Sequence, residues 1–235
     1  MPRFVHVTDA ATHDVNAAWM LDFKPGTIIA IDRAYIDYAL FAEWTRNGVF
    51  FVTRLKENAQ YEIVGACVPP QNSNIIADQV IRFTDYSSRE KCPHLLRRVV
   101  VWDPVKERTI ELLTNHLDFG ATTISAIYKE RWQIEIFFKT LKQNLKIKSF
   151  VGTTENALLI QIWTALIALL LLKWLHYVSK AGLSFSVLAS LLRLNLFTYR
   201  DLYDWLDDPF NTPPKTPIPE QLTLPLKRPG QLALN

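Results

Sequence analysis

Side chains suited to metal and phosphate chemistry recur at regular intervals in one segment of the sequence. They are Tyr128, Arg131, Glu135 and Lys142, at offsets of zero, three, seven and fourteen residues. On an α-helix these positions fall within an arc of roughly 60° along roughly 21 Å of one edge. Carboxylates bind hard divalent cations, and guanidinium or ammonium groups bind phosphate. The spacing predicts a helix edge that can bind both metal ions and phosphate. The competing interpretation is a polar helix edge that is only exposed to solvent.

A second acid, Asp32, ends the apolar run Thr27–Ile31. Such a run predicts a strand buried on both faces, as in a sheet covered by helices. In open α/β sheets, functional sites lie beyond the carboxyl ends of the strands. Asp32 and Glu135 are therefore candidates for one site, close enough to share metal.

The elements that would position these acids alternate between strands and helices. Strands are predicted at Arg3–Thr8, Thr27–Ile31 and Val49–Thr53, and helices at Asp14–Leu21 and Asp37–Arg46. This alternation indicates an α/β domain with a parallel pair of strands. Residues 59–115 differ, because they carry proline and polar runs around the apolar stretches Val99–Trp102 and Ile110–Leu113. They predict a β-rich insertion.

The second half of the chain predicts helices. A long helix from about Thr123 to Leu145 carries the candidate residues. The apolar segment Ala157–Leu175 predicts a buried core helix capped by Thr153 or Thr154. Short helices are predicted at Phe185–Leu196 and Tyr199–Leu206, before a proline-rich tail expected to be disordered. The expected organisation is 1–58 partial α/β core, 59–115 insertion, 116–180 candidate-site helix and core helix, 181–208 carboxyl-terminal helices, and 209–235 tail.

Length and composition set broad limits. The 235 residues are 49% hydrophobic, which favours one good-sized globular domain over a disordered chain. A net charge of +3 neither supports nor excludes nucleic acid, because binding needs local basic patches. No apolar region follows the basic start, so no signal peptide is expected. A membrane span at Ala157–Leu175 is the alternative to a core helix, but Gln161, Thr164 and Lys173 interrupt it.

The ordered motifs resemble those of one family. The helix residues match, position for position, the Y-R-E-K signature of one large group of insertion-sequence DDE transposases, and Arg131–Glu135 resembles its R-W-x-I-E core. Asp32–Tyr35 resembles the D-R-G-Y element of that group, with Ala34 in place of the common glycine, and Phe51–Lys56 resembles the following F-V-x-R strand. The resemblance extends from Phe4 to about Leu206.

The resemblance implies an RNase H-like α/β fold: a mixed sheet whose first strands are missing here, a β-rich insertion and carboxyl-terminal helices. It implies two aspartates and a glutamate that bind two Mg²⁺ (or Mn²⁺) ions, with Asp32 and Glu135 as the second and third acids. Expected partners are transposon-end and target DNA, with a homodimer in the complete enzyme. The expected location is the bacterial cytoplasm, associated with the nucleoid and not with a membrane.

The resemblance also assigns contacts with DNA. Tyr128, Arg131 and Lys142 would hold phosphates near the transposon end. Trp132 would stack on a displaced base, or else serve helix packing. Arg54, at a strand end, would touch phosphate, or else pair with a local acid.

The first catalytic aspartate of the family has no counterpart in the sequence. Asp9 follows a strand-like stretch, but too little chain separates it from Asp32 for the missing hairpin, and His13–Val15 resembles a later H-D-V element of the family. The chain alone is therefore expected to lack transposase activity and to be poorly stable. The alternative is a non-catalytic DNA-binding remnant of a transposase; another RNase H-like nuclease is disfavoured by the Y-R-E-K spacing.

Overall fold

The computed structural model describes residue 7 and the ranges 14–144 and 154–215. Apart from Val7, the predicted strand at Arg3–Thr8 lies outside these residues, as do Asp9, His13 and the tail from residue 216 onward. The chain forms two compact units, Met1–Thr140 and Leu141–Asn235.

The first unit is built on a six-stranded mixed sheet. Its strands are β1 (Ile28–Ala30), β2 (Phe50–Arg54), β3 (Tyr61–Cys67), β4 (Ile75–Phe83), β5 (Leu96–Asp103) and β6 (Arg108–Thr114). The spatial order is β1-β2-β6-β5-β4-β3. β1 and β2 are parallel, and every other pair is antiparallel. This mixed α/β architecture, consistent with an RNase H-like fold, confirms the predicted fold class.

The strands β3 to β6 all lie in the region predicted as a β-rich insertion. They do not form a separate layer, because β6 pairs directly with β2 through the register Val52 to Thr114 and Arg54 to Leu112. The sheet thus continues from the parallel pair into the antiparallel strands. A short helix, α3 (Tyr86–Lys91), connects β4 to β5.

The helices of this unit begin and end at residues with local signals. They are α1 (Asp14–Trp19), a 3-10 turn (Arg33–Tyr35), α2 (Tyr38–Arg46), α4 (Ala121–Glu130) and α5 (Trp132–Asn144), which continues into the second unit. The Asp37 carboxylate caps α2 by accepting the N–H groups of Ala39 and Leu40 at 2.8 and 3.1 Å. Gly48, at φ +68°, allows the chain to turn from α2 into β2.

Helices cover both faces of the sheet. Adjacent residues of β2 point to opposite faces, so Phe51 enters one core and Val52 the other. On the first face, the ring of Phe41 from α2 stacks on that of Phe51 at a centroid distance of 4.0 Å. On the second, Ala121 and Ile124 of α4 pack around Val52. This three-layer arrangement buries the centre of β2 completely.

β1 is less buried than its apolar run predicts. It was expected to be covered on both faces, yet Ile28 is 37% exposed and Ile29 and Ala30 are half-buried. The prediction fails because β1 is an edge strand within the described ranges: β2 pairs with one side, and no described strand pairs with the other.

The long helix predicted from Thr123 to Leu145 is divided at Arg131. Arg131 keeps helical torsion angles, φ −51° and ψ −33°. Its N–H bonds to the Tyr128 carbonyl, and the Ile134 N–H bonds to the Arg131 carbonyl, three residues apart in each case. The tightened turn therefore joins α4 to α5 without a change of helix hand.

The second unit contains α6 (Glu155–Val178), α7 (Phe185–Leu194) and α8 (Leu202–Asp207). Thr154 caps α6, as expected, by accepting the Ala157 N–H at 3.3 Å. The prediction that this helix is buried is wrong, since its buried residues are only Ala165, Leu166 and Leu169. Within the described part of this unit, α7 and α8 are too short to surround 24 residues of helix. By length and composition α6 could cross a membrane, which for a single helix is weak evidence.

Candidate active site

Asp32 lies where the chain leaves β1, at the edge of the sheet at which the parallel strands β1 and β2 both end. One carboxylate oxygen, Oδ1, accepts the Ala34 N–H at 3.2 Å and so caps the 3-10 turn. The other oxygen, Oδ2, is directed to the helices on the second face of the sheet, where it meets Arg131. The strand and the turn together fix the orientation of the carboxylate.

Arg131 joins the two candidate acids. Its Nη1 lies 3.1 Å from Oδ2 of Asp32, and its Nη2 donates to Oε1 of Glu135 at 3.0 Å. The Arg131 side chain is 14% exposed, whereas those of Asp32 and Glu135 are 47% and 41% exposed. The structure therefore brings both acids to the two terminal nitrogens of one largely buried arginine side chain.

Tyr128 completes this cluster on the helix side. Its ring centroid lies 5.4 Å from Cζ of Arg131, a cation–π distance. Burial raises the pKa of Tyr128 above its usual value, although the positive charges of Arg131 and Arg54 act to lower it. Burial lowers the pKa of Arg131, but Tyr128, Glu135 and Asp32 together hold it above the ordinary arginine value. Arg131 is therefore a permanent cation in this site.

Arg54 lies at the carboxyl end of β2, near this cluster. It is half-buried, and its charge acts on Tyr128. No ion pair joins Arg54 to a carboxylate within the described ranges of the chain, in contrast to Arg131. Of Arg54 and Arg131, Arg54 is thus the one without a carboxylate partner in the described structure.

Trp132 is not drawn into the cluster. It is 49% exposed, and the Nζ atom of Lys106 lies 5.2 Å from its ring centroid. The structure therefore does not place Trp132 on the two acids. Lys142 is exposed near the end of α5 and belongs to the second unit.

A cleft of about 700 Å³, which was not predicted from the sequence, opens beside β1. The Thr27 carbonyl accepts from Phe50 and the Ile31 N–H donates to Val52, so the peptide groups of Ile28 and Ala30 point away from β2. The lining is mainly apolar and comes from both helix layers: Ala18, Leu21, Phe23, Ile28, Ile29, Ala30, Ile31, Tyr35, Trp44, Ile127 and Ile134. Asp32, Glu130 and Arg131 supply its polar groups.

The residues that the structure describes do not fit a centre of two metal ions. Within 14–144 and 154–215, no three His, Cys, Asp or Glu side chains are grouped so as to hold a metal ion. Asp32 and Glu135 supply oxygen donors of the kind Mg²⁺ prefers, and two carboxylates with water suffice for one ion. Two ions about 4 Å apart need more ligands. Both carboxylates are also in contact with Arg131.

Two features of the site were missed from the sequence. The spacing of Arg131 and Glu135, four residues apart on a helix, favours an ion pair, but Arg131 was assigned to phosphate alone. Asp32 also caps the turn that follows it, a role that an aspartate before a short helix often takes. Both signals were local and available in the sequence.

Comparison with known proteins finds similarity to transposases. A model of the transposase DDE domain family matches residues 1–171. The chain is 32% identical over 205 residues to the putative transposase y4zB of Sinorhizobium fredii, covering 86% of this chain and 57% of that protein. It is 30% identical over 179 residues to a probable transposase for insertion sequence element IS5377 of Geobacillus stearothermophilus, covering 75% and 46%. It is 31% identical over 163 residues to a putative transposase for insertion sequence element IS4SA of Synechocystis, covering 66% and 43%. The chain spans about half the length of these relatives.

Proposed function

The chain belongs to the transposase DDE family, and we propose that Asp32 and Glu135 are two of the acids of a site for DNA cleavage and strand transfer. The observation that supports this proposal is the contact of Arg131 with both carboxylates, at 3.1 and 3.0 Å. An acid at a strand end and an acid from a helix thereby meet at one edge of the sheet. In the complete enzyme, cut-and-paste transposition would use Mg²⁺ (or Mn²⁺) ions at this edge.

DNA is the proposed partner, and its phosphates are the groups that the nearby cations suit. Arg54 lacks an acid partner in the described structure, so it is the first candidate for a phosphate contact. Lys142 would add a mobile charge and Trp132 a ring for stacking on a base. Transposon-end and target DNA, a homodimer, and a site of action in the cytoplasm at the nucleoid belong to the same proposal.

This chain alone is proposed not to cut DNA. The two acids lack a third ligand within the described ranges, and the cation between them is an arginine. The test is strand cleavage of DNA carrying the ends of the element that encodes the chain, with Mg²⁺ or Mn²⁺ in the buffer. Robust cleavage that Glu135→Gln abolishes would refute the proposed inactivity while supporting the assignment of the acid.

The assignment of the acids has a test that needs no cleavage. Titration with Mn²⁺, followed by the electron paramagnetic resonance signal of the free ion, should show weak binding that Asp32→Asn and Glu135→Gln each weaken by about tenfold or more (~1.4 kcal/mol). Glu57→Gln is the matched control, because Glu57 is an exposed acid that pairs with Arg33, next to Asp32. Equal Mn²⁺ affinity in all four proteins would argue against the assignment.

A non-catalytic DNA-binding remnant is the second candidate function. Its support is that Arg54 has no carboxylate partner in the described structure, whereas Asp32 and Glu135 both contact Arg131. In that case Arg54→Gln should lower DNA affinity and reduce the slope of log K against log salt by about 0.9. Arg82→Gln, which removes an equal charge from β4, should leave the slope unchanged. The remnant is favoured if this result coincides with no effect of Asp32→Asn on Mn²⁺ binding.

A further inference from the structure

Arg131 contacts both Asp32 and Glu135, the two acids proposed to bind metal. Its two terminal nitrogens are directed to different acids, one on the strand side and one on its own helix. Its third nitrogen, Nε, is buried and has no hydrogen-bond partner in the described structure. An unsatisfied buried donor is unfavourable, so the contacts with the acids decide the orientation of the side chain.

The oxygens that Arg131 contacts are those that a metal ion would need. Oδ1 of Asp32 already accepts the Ala34 N–H, which leaves Oδ2 as the more open oxygen, and Oδ2 contacts Arg131. A divalent ion on the same oxygens would lie within a few ångströms of the guanidinium. Like charges repel strongly at that separation in a partly buried site. The ion and the guanidinium would therefore compete for these oxygens.

A change of pH cannot remove this obstacle. Arginine keeps its proton throughout the range in which proteins fold, and the surroundings of Arg131 hold its pKa above the ordinary value. Only a movement of the side chain can free the two carboxylates. Tyr128, whose ring lies against the guanidinium, limits that movement on one side.

We propose that Arg131 is an internal cation that competes with divalent metal for Asp32 and Glu135 and holds the two acids in place when metal is absent. The inference rests on the proposed function, since it requires that these acids bind metal. It makes Arg131 a positioning residue of the acid pair, in addition to any contact with phosphate.

The test is the Mn²⁺ affinity of the Arg131→Gln variant of this chain. Removal of the guanidinium should tighten Mn²⁺ binding by about tenfold or more relative to the parent chain. The added Mn²⁺ should also raise the melting temperature of the variant more than that of the parent. Arg131→Lys keeps the charge, but an ammonium group cannot bridge two carboxylates as the planar guanidinium does. The Mn²⁺ affinity of Arg131→Lys should therefore lie between those of the parent chain and Arg131→Gln. If circular dichroism shows Arg131→Gln to be unfolded, the Mn²⁺ affinity of Arg131→Lys is compared with that of the parent chain instead.

The matched control is Arg33→Gln. This variant also loses a positive charge beside Asp32, but the native Arg33 pairs with Glu57 and not with Asp32 and Glu135. Its effect on Mn²⁺ affinity should be small, and an effect equal to that of Arg131→Gln would overturn the proposal. The proposal also fails if the parent binds Mn²⁺ as tightly as Arg131→Gln while Asp32→Asn weakens both, a result that leaves the proposed function intact. If neither protein binds Mn²⁺, the proposed function fails and this inference fails with it.

Discussion

Arg97 ties the sheet to the segment that leads into α4. Its Nε and Nη2 donate to the two carboxylate oxygens of Asp78, at 2.7 Å each, and its Nη1 donates to the carbonyls of Leu117 and Phe119. The side chains of Arg97 and Asp78 are only 6% and 4% exposed. The hydrogen bond to Asp78 raises the pKa of Arg97, so Arg97 stays charged.

Replacing Arg97 by Met should strongly destabilise the first unit. The substitution leaves the Asp78 carboxylate buried without its partner and removes the donor from two carbonyls. Loss of one member of a buried ion pair costs about 3–5 kcal/mol. Whole domains are stable by only about 5–15 kcal/mol, so a large part of the folding free energy would be lost. Leu117 and Phe119 lie just before α4, and Arg131 follows the end of α4. The position of Arg131 should therefore also become less well fixed.

The assay is urea unfolding followed by tryptophan fluorescence, with the m-value checked in each variant. Arg82→Met is the matched control, since Arg82 pairs with Glu62 on the surface and should cost about 1 kcal/mol or less. The double variant Asp78→Leu/Arg97→Met should be more stable than Arg97→Met alone, because it removes the stranded charge. A loss below about 1 kcal/mol for Arg97→Met would refute the reasoning.

Two further buried polar groups give predictions. Asn115 accepts the Phe51 N–H and donates to the Val49 carbonyl, both at 2.9 Å, so Asn115→Ala should cost about 2–4 kcal/mol in urea unfolding. A cost below about 0.5 kcal/mol would contradict this role. Burial lowers the pKa of His116, whose Nδ1 accepts the Phe119 N–H, so its stabilising contribution is full above about pH 6.5 and is lost as the pH falls through its folded pKa. The unfolding free energy should therefore fall less between pH 7 and 5 in His116→Gln, and an unchanged pH dependence would exclude the effect.

Local signals in the sequence were sufficient for the elements around Asp32. The helix predicted at Asp37–Arg46 matches α2, because the Asp37 cap and Gly48 at positive φ act within a few residues of its ends. The apolar run before Asp32 likewise predicted a strand at β1. These features depend on neighbours in the chain and so can be inferred from them.

Features that depend on distant contacts could not be inferred in this way. β4 was not recognised as a strand, because Asp78 interrupts its apolar residues and its partner Arg97 lies 19 residues away on β5. The apolar composition of α6 indicated a preference for burial but not what would cover it. The contact of Arg131 with Asp32 across 99 positions was invisible for the same reason, although the type and spacing of both residues marked them as candidates.

The central claim is that the strand-end acid and the helix acid bind the same cation. It is tested most directly by Fe²⁺-mediated backbone cleavage of the Arg131→Gln variant with ascorbate and peroxide, mapped by mass spectrometry. Iron held by both carboxylates should cut the chain near Asp32 and near Glu135, and Asp32→Asn should abolish both cuts together. Cleavage at only one of the two positions, or two cuts that respond independently to Asp32→Asn, would contradict the shared site.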